Sequence, residues 1–182
     1  MRSNITRSNI TLIGMPGAGK STIGIVLAKN LSLGFIDTDV LIQINRQQSL
    51  QQLLDGGGHL YLRQIEEEEI LKLNLSRHVI ATGGSAAYSD KAMRHLQASS
   101  HIIFLQVSFN ELLRRIRNFE SRGIAKAPEQ SFEELFAERQ VLYQHYADCT
   151  IPCDGLNQDE IAERIAGELL PNRLYSESGV PL

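Results

Sequence analysis

Short apolar runs alternate along this chain with stretches in which apolar residues recur every three or four positions. Asn9-Ile10-Thr11-Leu12-Ile13 is rich in β-branched residues and predicts a buried strand. From Ser21 to Asn30, Ile23, Val26 and Leu27 share one face of a predicted helix. Phe35-Ile36-Asp37-Thr38-Asp39 reads as a short strand ending in acidic residues. Helical spacing follows from Val40 through Leu54, is broken by Gly56-Gly57-Gly58, and resumes from about His59 to Leu73. Within that last segment the run Glu66 to Glu69 reads as a solvated face with one member turned inward. His78-Val79-Ile80-Ala81 predicts a strand closed by Gly83-Gly84, and His101 to Val107 predicts the clearest strand of the second half. Helices are expected near Asn110 to Arg117, Phe132 to Ala147 and Gln158 to Leu169, with a short strand at Cys149 to Ile151. Ser121 to Gln130, with Gly123, Pro128 and mixed charge, reads as a mobile loop.

Strands alternating with helices imply a parallel sheet covered on both faces. The fold expected is therefore α/β: a three-layer α/β/α domain with a central five-stranded parallel sheet and a mobile lid at about 118–131. The domain spans residues 9–170. Arg-Ser-Asn-Ile-Thr occurs in tandem at 2–6 and 7–11, and residues 1–8 and 171–182 are expected to be a flexible extension and tail.

The loop after the first strand carries the chemistry. Gly14-Met15-Pro16-Gly17-Ala18-Gly19-Lys20-Ser21-Thr22 fits G-x-x-x-x-G-K-[ST], between a predicted strand and a predicted helix as that motif requires. Gly14, Gly17 and Gly19 let the backbone take positive φ and approach phosphate oxygens. The helix N-terminus adds unpaired N–H donors and a partial positive charge. Lys20 brings a full charge to the β- and γ-phosphates of a nucleotide such as ATP, and the Ser21 hydroxyl can ligate Mg²⁺. Asp37 and Asp39 leave the second strand at the carboxyl end of the sheet, where ligands of parallel sheets bind. Asp37 is thereby placed near the metal shell and Asp39 near a hydroxyl acceptor.

Composition narrows the classes. The 182 residues suit one domain, in which folding buries roughly 70% of the unfolded surface. With 18 Lys plus Arg against 21 Asp plus Glu, the net charge of −3 gives no reason to expect nucleic acid or an anionic membrane as partner. There is no run of about 18 apolar residues, and the start Met1-Arg2-Ser3-Asn4-Ile5-Thr6 has no secretory h-region. Cys149 and Cys153, without a second Cys/His cluster, read as reduced packing residues of a cytoplasmic protein. A monomer is expected.

From about Ile10 to Leu170 the chain resembles the shikimate kinase family, within the wider group of nucleoside-monophosphate-kinase-like P-loop proteins. Asp37-Thr38-Asp39 is similar to the family's aspartate pair, and Ser49 to Arg63 to the segment whose arginine holds the substrate carboxylate. The resemblance makes Glu66, three residues on, the acidic partner of Arg63. Thr82-Gly83-Gly84 resembles the turn that approaches the acceptor, Arg115 the arginine packed over adenine, and Arg122 the lid arginine that reaches the transferring phosphate. Glu138-Arg139, Leu142-Tyr143 and Tyr146-Ala147-Asp148 resemble the last substrate motif, with Arg139 as second carboxylate clamp. Two guanidinium forks suit a carboxylate-bearing acceptor.

The resemblance implies transfer of the γ-phosphoryl of MgATP to a hydroxyl of shikimate, with Lys20, Asp39 and Arg122 catalytic. Gly14, Gly17, Ala18, Gly19, Lys20, Ser21, Thr22, Arg115 and Arg122 would bind ATP. Asp39, Arg63, Gly83, Gly84 and Arg139 would bind the acceptor, and Ser21 and Asp37 the metal. Departures fall at the acceptor pocket and lid. The family's glutamate before Tyr61 is His59, its pocket phenylalanines are Leu54 and Leu62, its third turn glycine is Ser85, and its Arg-Pro-Leu-Leu lid is Arg122-Gly123-Ile124-Ala125. Two other readings stay open: a kinase of another small hydroxy acid or polyol such as gluconate, and a nucleotide-binding regulatory module without turnover.

Overall fold

The computed structural model describes residues 7–115 and 123–169. Residues 1–6 of the extension, Arg122 with the first part of the lid, and the tail from residue 170 lie outside the described residues.

Five strands form one parallel sheet: β1 (Asn9–Ile13), β2 (Gly34–Asp37), β3 (His78–Ala81), β4 (Ser100–Gln106) and β5 (Cys149–Pro152), in the order β2-β3-β1-β4-β5. Thr11 of β1 pairs with Ile80 on one side and Ile102 on the other, so β1 is central. Every β1 residue is buried, the polar Asn9 and Thr11 included, as expected of a strand in a parallel sheet covered on both faces. The connection out of β1 crosses the sheet in the opposite direction to those that follow. Right-handed crossovers therefore put helices on both faces, giving three layers.

The helices are α1 (Lys20–Leu31), α2 (Thr38–Arg46), α3 (Leu50–Leu71), α4 (Asp90–Ser99), α5 (Phe109–Arg115), α6 (Phe132–Tyr146) and α7 (Gln158–Leu169). The segment expected as one helix from Val40 to Leu54 is two. Gln47 takes φ 53, and Ser49 starts α3 with a capping box in which its hydroxyl accepts from the Gln52 N–H and the Gln52 side chain returns to the Ser49 N–H. The glycine break is confined to Gly58 (φ 77, ψ 179), and α3 continues past it. Helix α4 is absent from the sequence reading. Its apolar face is only Ala92, Met93 and Leu96, and its start is marked by Ser89, whose hydroxyl accepts from the Ala92 N–H at 3.0 Å.

The Glu66–Glu69 run is not a solvated face. Glu66 and Glu69 are both buried, at 5% and 2% exposure. Glu69 accepts from Asn45 and Lys72 at 2.7 Å, Glu68 pairs with Arg46 at 2.7 Å, and Glu67 accepts from Ser89 at 2.6 Å. The run ties α3 to α2 and to the start of α4. A second small core of Ile42, Leu53, Leu62, Ile65 and Ala125 lies beside the main one. Ala125 belongs to the segment expected as a mobile loop, so that loop's later part is anchored in apolar packing.

Arg7, placed by sequence in the flexible extension, pairs with Asp148 at 2.8 Å, and Asp148 also accepts from the Ile102 N–H at 2.8 Å. Both contacts lie at the starts of β4 and β5, the rim opposite the phosphate loop. Asp148 is thus a structural residue, away from the acceptor site to which its motif pointed.

Candidate active site

The phosphate loop leaves β1 at the centre of the sheet, where the crossover direction reverses. Gly14 (φ 144), Gly17 (φ 84) and Gly19 (φ 93) take the conformations that favour glycine, and a Cβ on Gly14 would lie 2.8 Å from the Leu105 carbonyl oxygen. Gly19 caps α1 with no side-chain bond, so the first N–H groups of that helix remain available to an anion. Lys20 is 8% exposed and donates to the carbonyls of Gly14 at 2.7 Å and Met15 at 2.9 Å. Burial lowers its pKa to about 8, opposed by the charge of Asp39.

Ser21 donates to Asp37 Oδ2 at 2.5 Å, while Asp37 Oδ1 caps α2 by accepting from the Asp39 N–H at 2.9 Å. That cap turns Asp39 inward. Its Oδ1 is buried without a partner, and burial, then the Asp37 charge, push its pKa up to about 6.

Thr82-Gly83-Gly84 forms the opposite wall. The Gly83 N–H donates to the Thr38 hydroxyl at 3.1 Å, and a Cβ on Gly83 would collide with the carboxylates of Glu66 and Asp39. On Gly84 a Cβ would meet Arg139 Nη1 and Pro16 Cδ, each at 2.8 Å. Tyr143 donates its hydroxyl to the Gly84 carbonyl at 2.5 Å. Both positions require glycine because functional side chains converge on them. Glu66 accepts from the Ser85 hydroxyl, and burial followed by the Asp39 charge pushes its pKa up to about 7.

These elements enclose a cavity of about 390 Å³, lined among others by Lys20, Ser21, Asp39, Glu66, Arg115 and Arg139. Thr22, Gly17, Gly19 and Gly84 also line it. Arg139 is 1% exposed, donates from Nη2 to the Ala125 carbonyl at 2.7 Å, and has an unpartnered Nε. Arg115 is held by Glu111 at 2.9 Å. Gly123 (φ 60) accepts no Cβ, because one would lie 2.7 Å from Leu50 Cβ, and its N–H donates to Gln51 at 3.0 Å. Gly123, Ile124 and Ala125 thereby close one side of the cavity.

Arg63 is placed differently from the sequence expectation. Its guanidinium carbon lies 3.4 Å from the centre of the Tyr88 ring, and its side chain faces a second cavity of about 510 Å³ with His59, Glu134 and Glu138. Glu66 accepts its hydrogen bond from the Ser85 hydroxyl rather than from Arg63. The expected Arg63–Glu66 pair is not formed: the Arg63 guanidinium lies over Tyr88, and Glu66 accepts from Ser85. Thr38 and Tyr88 are site features that the sequence did not reveal. Tyr88 carries no spacing signal, whereas a threonine between two aspartates offered a weak one. Of the other departures, Leu62 belongs to the second core and Leu54 lines an apolar hollow with Ile124 and Pro128.

Mg²⁺ fits this donor set. No group of three or more His, Cys, Asp or Glu side chains forms a metal cage among the described residues. A Mg²⁺ ion carried on nucleotide phosphates needs only one or two protein oxygens. The Ser21–Asp37 pair and the unpartnered Asp39 Oδ1 offer them.

The shikimate kinase family model matches residues 16–170. The chain belongs to the shikimate kinase family. It is 32% identical over 158 residues to a shikimate kinase of Sulfurihydrogenibium sp., covering 86% of this chain and 95% of that protein. Against a shikimate kinase of Paracidovorax citrulli the identity is 35% over 167 residues, covering 88% and 91%. Among solved structures, a shikimate kinase from Acinetobacter baumannii in complex with shikimate superposes with a TM-score of 0.86 at 28% identity, covering 94% of this chain and 97% of that one. The deoxyadenosine kinase of M. mycoides, at 15% identity and a TM-score of 0.55, shares the fold alone. As a member of the shikimate kinase family, the chain is a phosphotransferase with a hydroxyl group as acceptor. No helix among the described residues is long and apolar enough to cross a membrane.

Proposed function

We propose that this chain transfers the γ-phosphoryl group of ATP to a hydroxyl of shikimate, giving shikimate 3-phosphate for aromatic amino-acid biosynthesis. The observation that carries this reading is that Lys20, Asp39 and Arg139, from three separate elements, line one cavity at the carboxyl ends of the strands. In-line phosphoryl transfer needs little covalent help, so positioning and charge neutralisation carry the rate. Lys20 would exchange the Gly14 and Met15 carbonyls for phosphate oxygens. The unpartnered Asp39 Oδ1 would orient the acceptor hydroxyl and take its proton, a task suited to a carboxylate raised towards neutrality. Arg139 and Arg63 would bind the acceptor carboxylate, and Gly83 and Gly84 would let it approach. Ser21 and Asp37 would hold Mg²⁺, which neutralises phosphate charge when bound. Arg115 would pack over adenine. Arg122, by its resemblance to the lid arginine, would reach the transferring phosphate. The protein would act as a cytoplasmic monomer whose partners are ATP and the acceptor, without nucleic acid or membrane.

ATP consumption measured with shikimate and with a panel of hydroxy acids and polyols including gluconate tests the reading. Shikimate should give the highest kcat/KM, and Lys20→Met should lower it by about a hundredfold or more while the fold persists. Turnover with gluconate but not shikimate would reassign the acceptor. ATP binding without turnover on any acceptor would make the chain a regulatory module.

A further inference from the structure

Arg63 and Glu66 lie one turn apart on α3, the spacing at which arginine and glutamate pair on a helix. In this chain Ser85 holds the Glu66 carboxylate, and the Arg63 guanidinium rests over Tyr88 instead. The Arg139 guanidinium carbon lies 5.5 Å from the centre of the same ring. One aromatic side chain thus attracts both cations. The mode of attraction matters. An acidic partner occupies the in-plane N–H groups of a guanidinium, the same groups that bind a ligand carboxylate. A ring binds the cation through its π-density and leaves those N–H groups open. Arg63 Nε and Arg139 Nε are indeed buried without hydrogen-bond partners among the described residues. The Tyr88 hydroxyl lies beside Arg139 and Glu138 without a hydrogen bond of regular geometry, whereas its ring face carries the contact with Arg63.

We propose that Tyr88 is a positioning residue for acceptor binding: its side chain holds Arg63 and Arg139 together with their Nε–H groups free for the acceptor carboxylate. The inference rests on the reading of these arginines as the carboxylate clamp. It assigns to an aromatic face the orienting role that the Glu66 carboxylate, engaged by Ser85, does not perform.

Steady-state kinetics with shikimate and ATP test it. Tyr88→Leu should raise the KM for shikimate about tenfold, with the KM for ATP and kcat changed by less than about twofold. Tyr88→Phe keeps the ring and should stay within about twofold of the parent on all three. Tyr88→Met, close in volume but without a ring, should behave as Tyr88→Leu and serves if the leucine variant folds poorly. Equal effects of Tyr88→Phe and Tyr88→Leu, an unchanged shikimate KM in both ringless variants, or a parallel rise in the KM for ATP would overturn the proposal. Arg63→Ala and Arg139→Ala separate the two levels. If they leave the shikimate KM unchanged, the clamp reading itself fails. If they raise it while the ringless variants do not, only the role of Tyr88 fails.

Discussion

Asp39 and Glu66 share one wall of the cavity, and burial beside each other raises both carboxyl groups, to about 6 and about 7. The consequence for stability has a definite sign. Glu66 holds its proton in the folded state between its ordinary value of 4.5 and about 7, where the unfolded chain has released it. Its contribution is therefore fully present below pH 4.5 and is lost as the pH rises through about 7. Glu66→Gln should remove that loss, so the variant's Tm should gain on the parent's between pH 4.5 and 8. Parallel Tm–pH profiles would contradict the buried-pair account. In the proposed reaction the sign reverses: Asp39 would accept the proton only when ionised, so kcat should fall as the pH drops through about 6. The sequence disclosed Asp39 through its place after a strand. It did not disclose the orientation of Glu66, which is set by a hydroxyl nineteen residues away. Tyr88 was equally silent, because a cation over a ring leaves no mark in spacing.

Elements were legible where local rules act alone. The phosphate loop, β1, β4, α6 and α7 follow from glycine placement and period, and the structure has them within a residue or two of expectation. Helix α4 and the division between α2 and α3 escaped because their signals are a single Ser cap each, weaker than the apolar pattern around them. The segment 123–125 escaped for another reason. Its composition is that of a loop, yet Ile124 and Ala125 are buried at 8% and 3% exposure against α3. That docking depends on Gly123, which combines a left-handed backbone with contact to Leu50. Gly123→Ala should cost about 1–2 kcal/mol in backbone strain, a Tm decrease of about 2–8 °C before any steric term. It should also speed hydrogen exchange across 123–131 and weaken both substrates, since this segment walls the shared cavity. Unaltered exchange there would show that the segment does not need the glycine to dock.

For the molecule as a whole, the parallel order of the strands sorts the loops into two sets. Loops that follow strands hold the phosphate loop, the Asp37–Asp39 turn and Thr82–Ser85. Those that precede strands hold the Arg7–Asp148–Ile102 contacts and the turn before β3, where Arg77 takes φ 61. Asn74, in that turn, is exposed. Gly155 follows β5 at the carboxyl end of the sheet, the end that carries the cavity, with φ 73 and open space about it. A ten-residue Gly-Ser insertion at Asn74 should leave kcat/KM within about twofold, whereas the same insertion at Gly155 should disturb nucleotide binding. Equal losses at both sites would deny the division. If it holds, the enzyme can be immobilised through the Asn74 turn with its cavity facing the solution, and its turnover on a support should match that of the free protein.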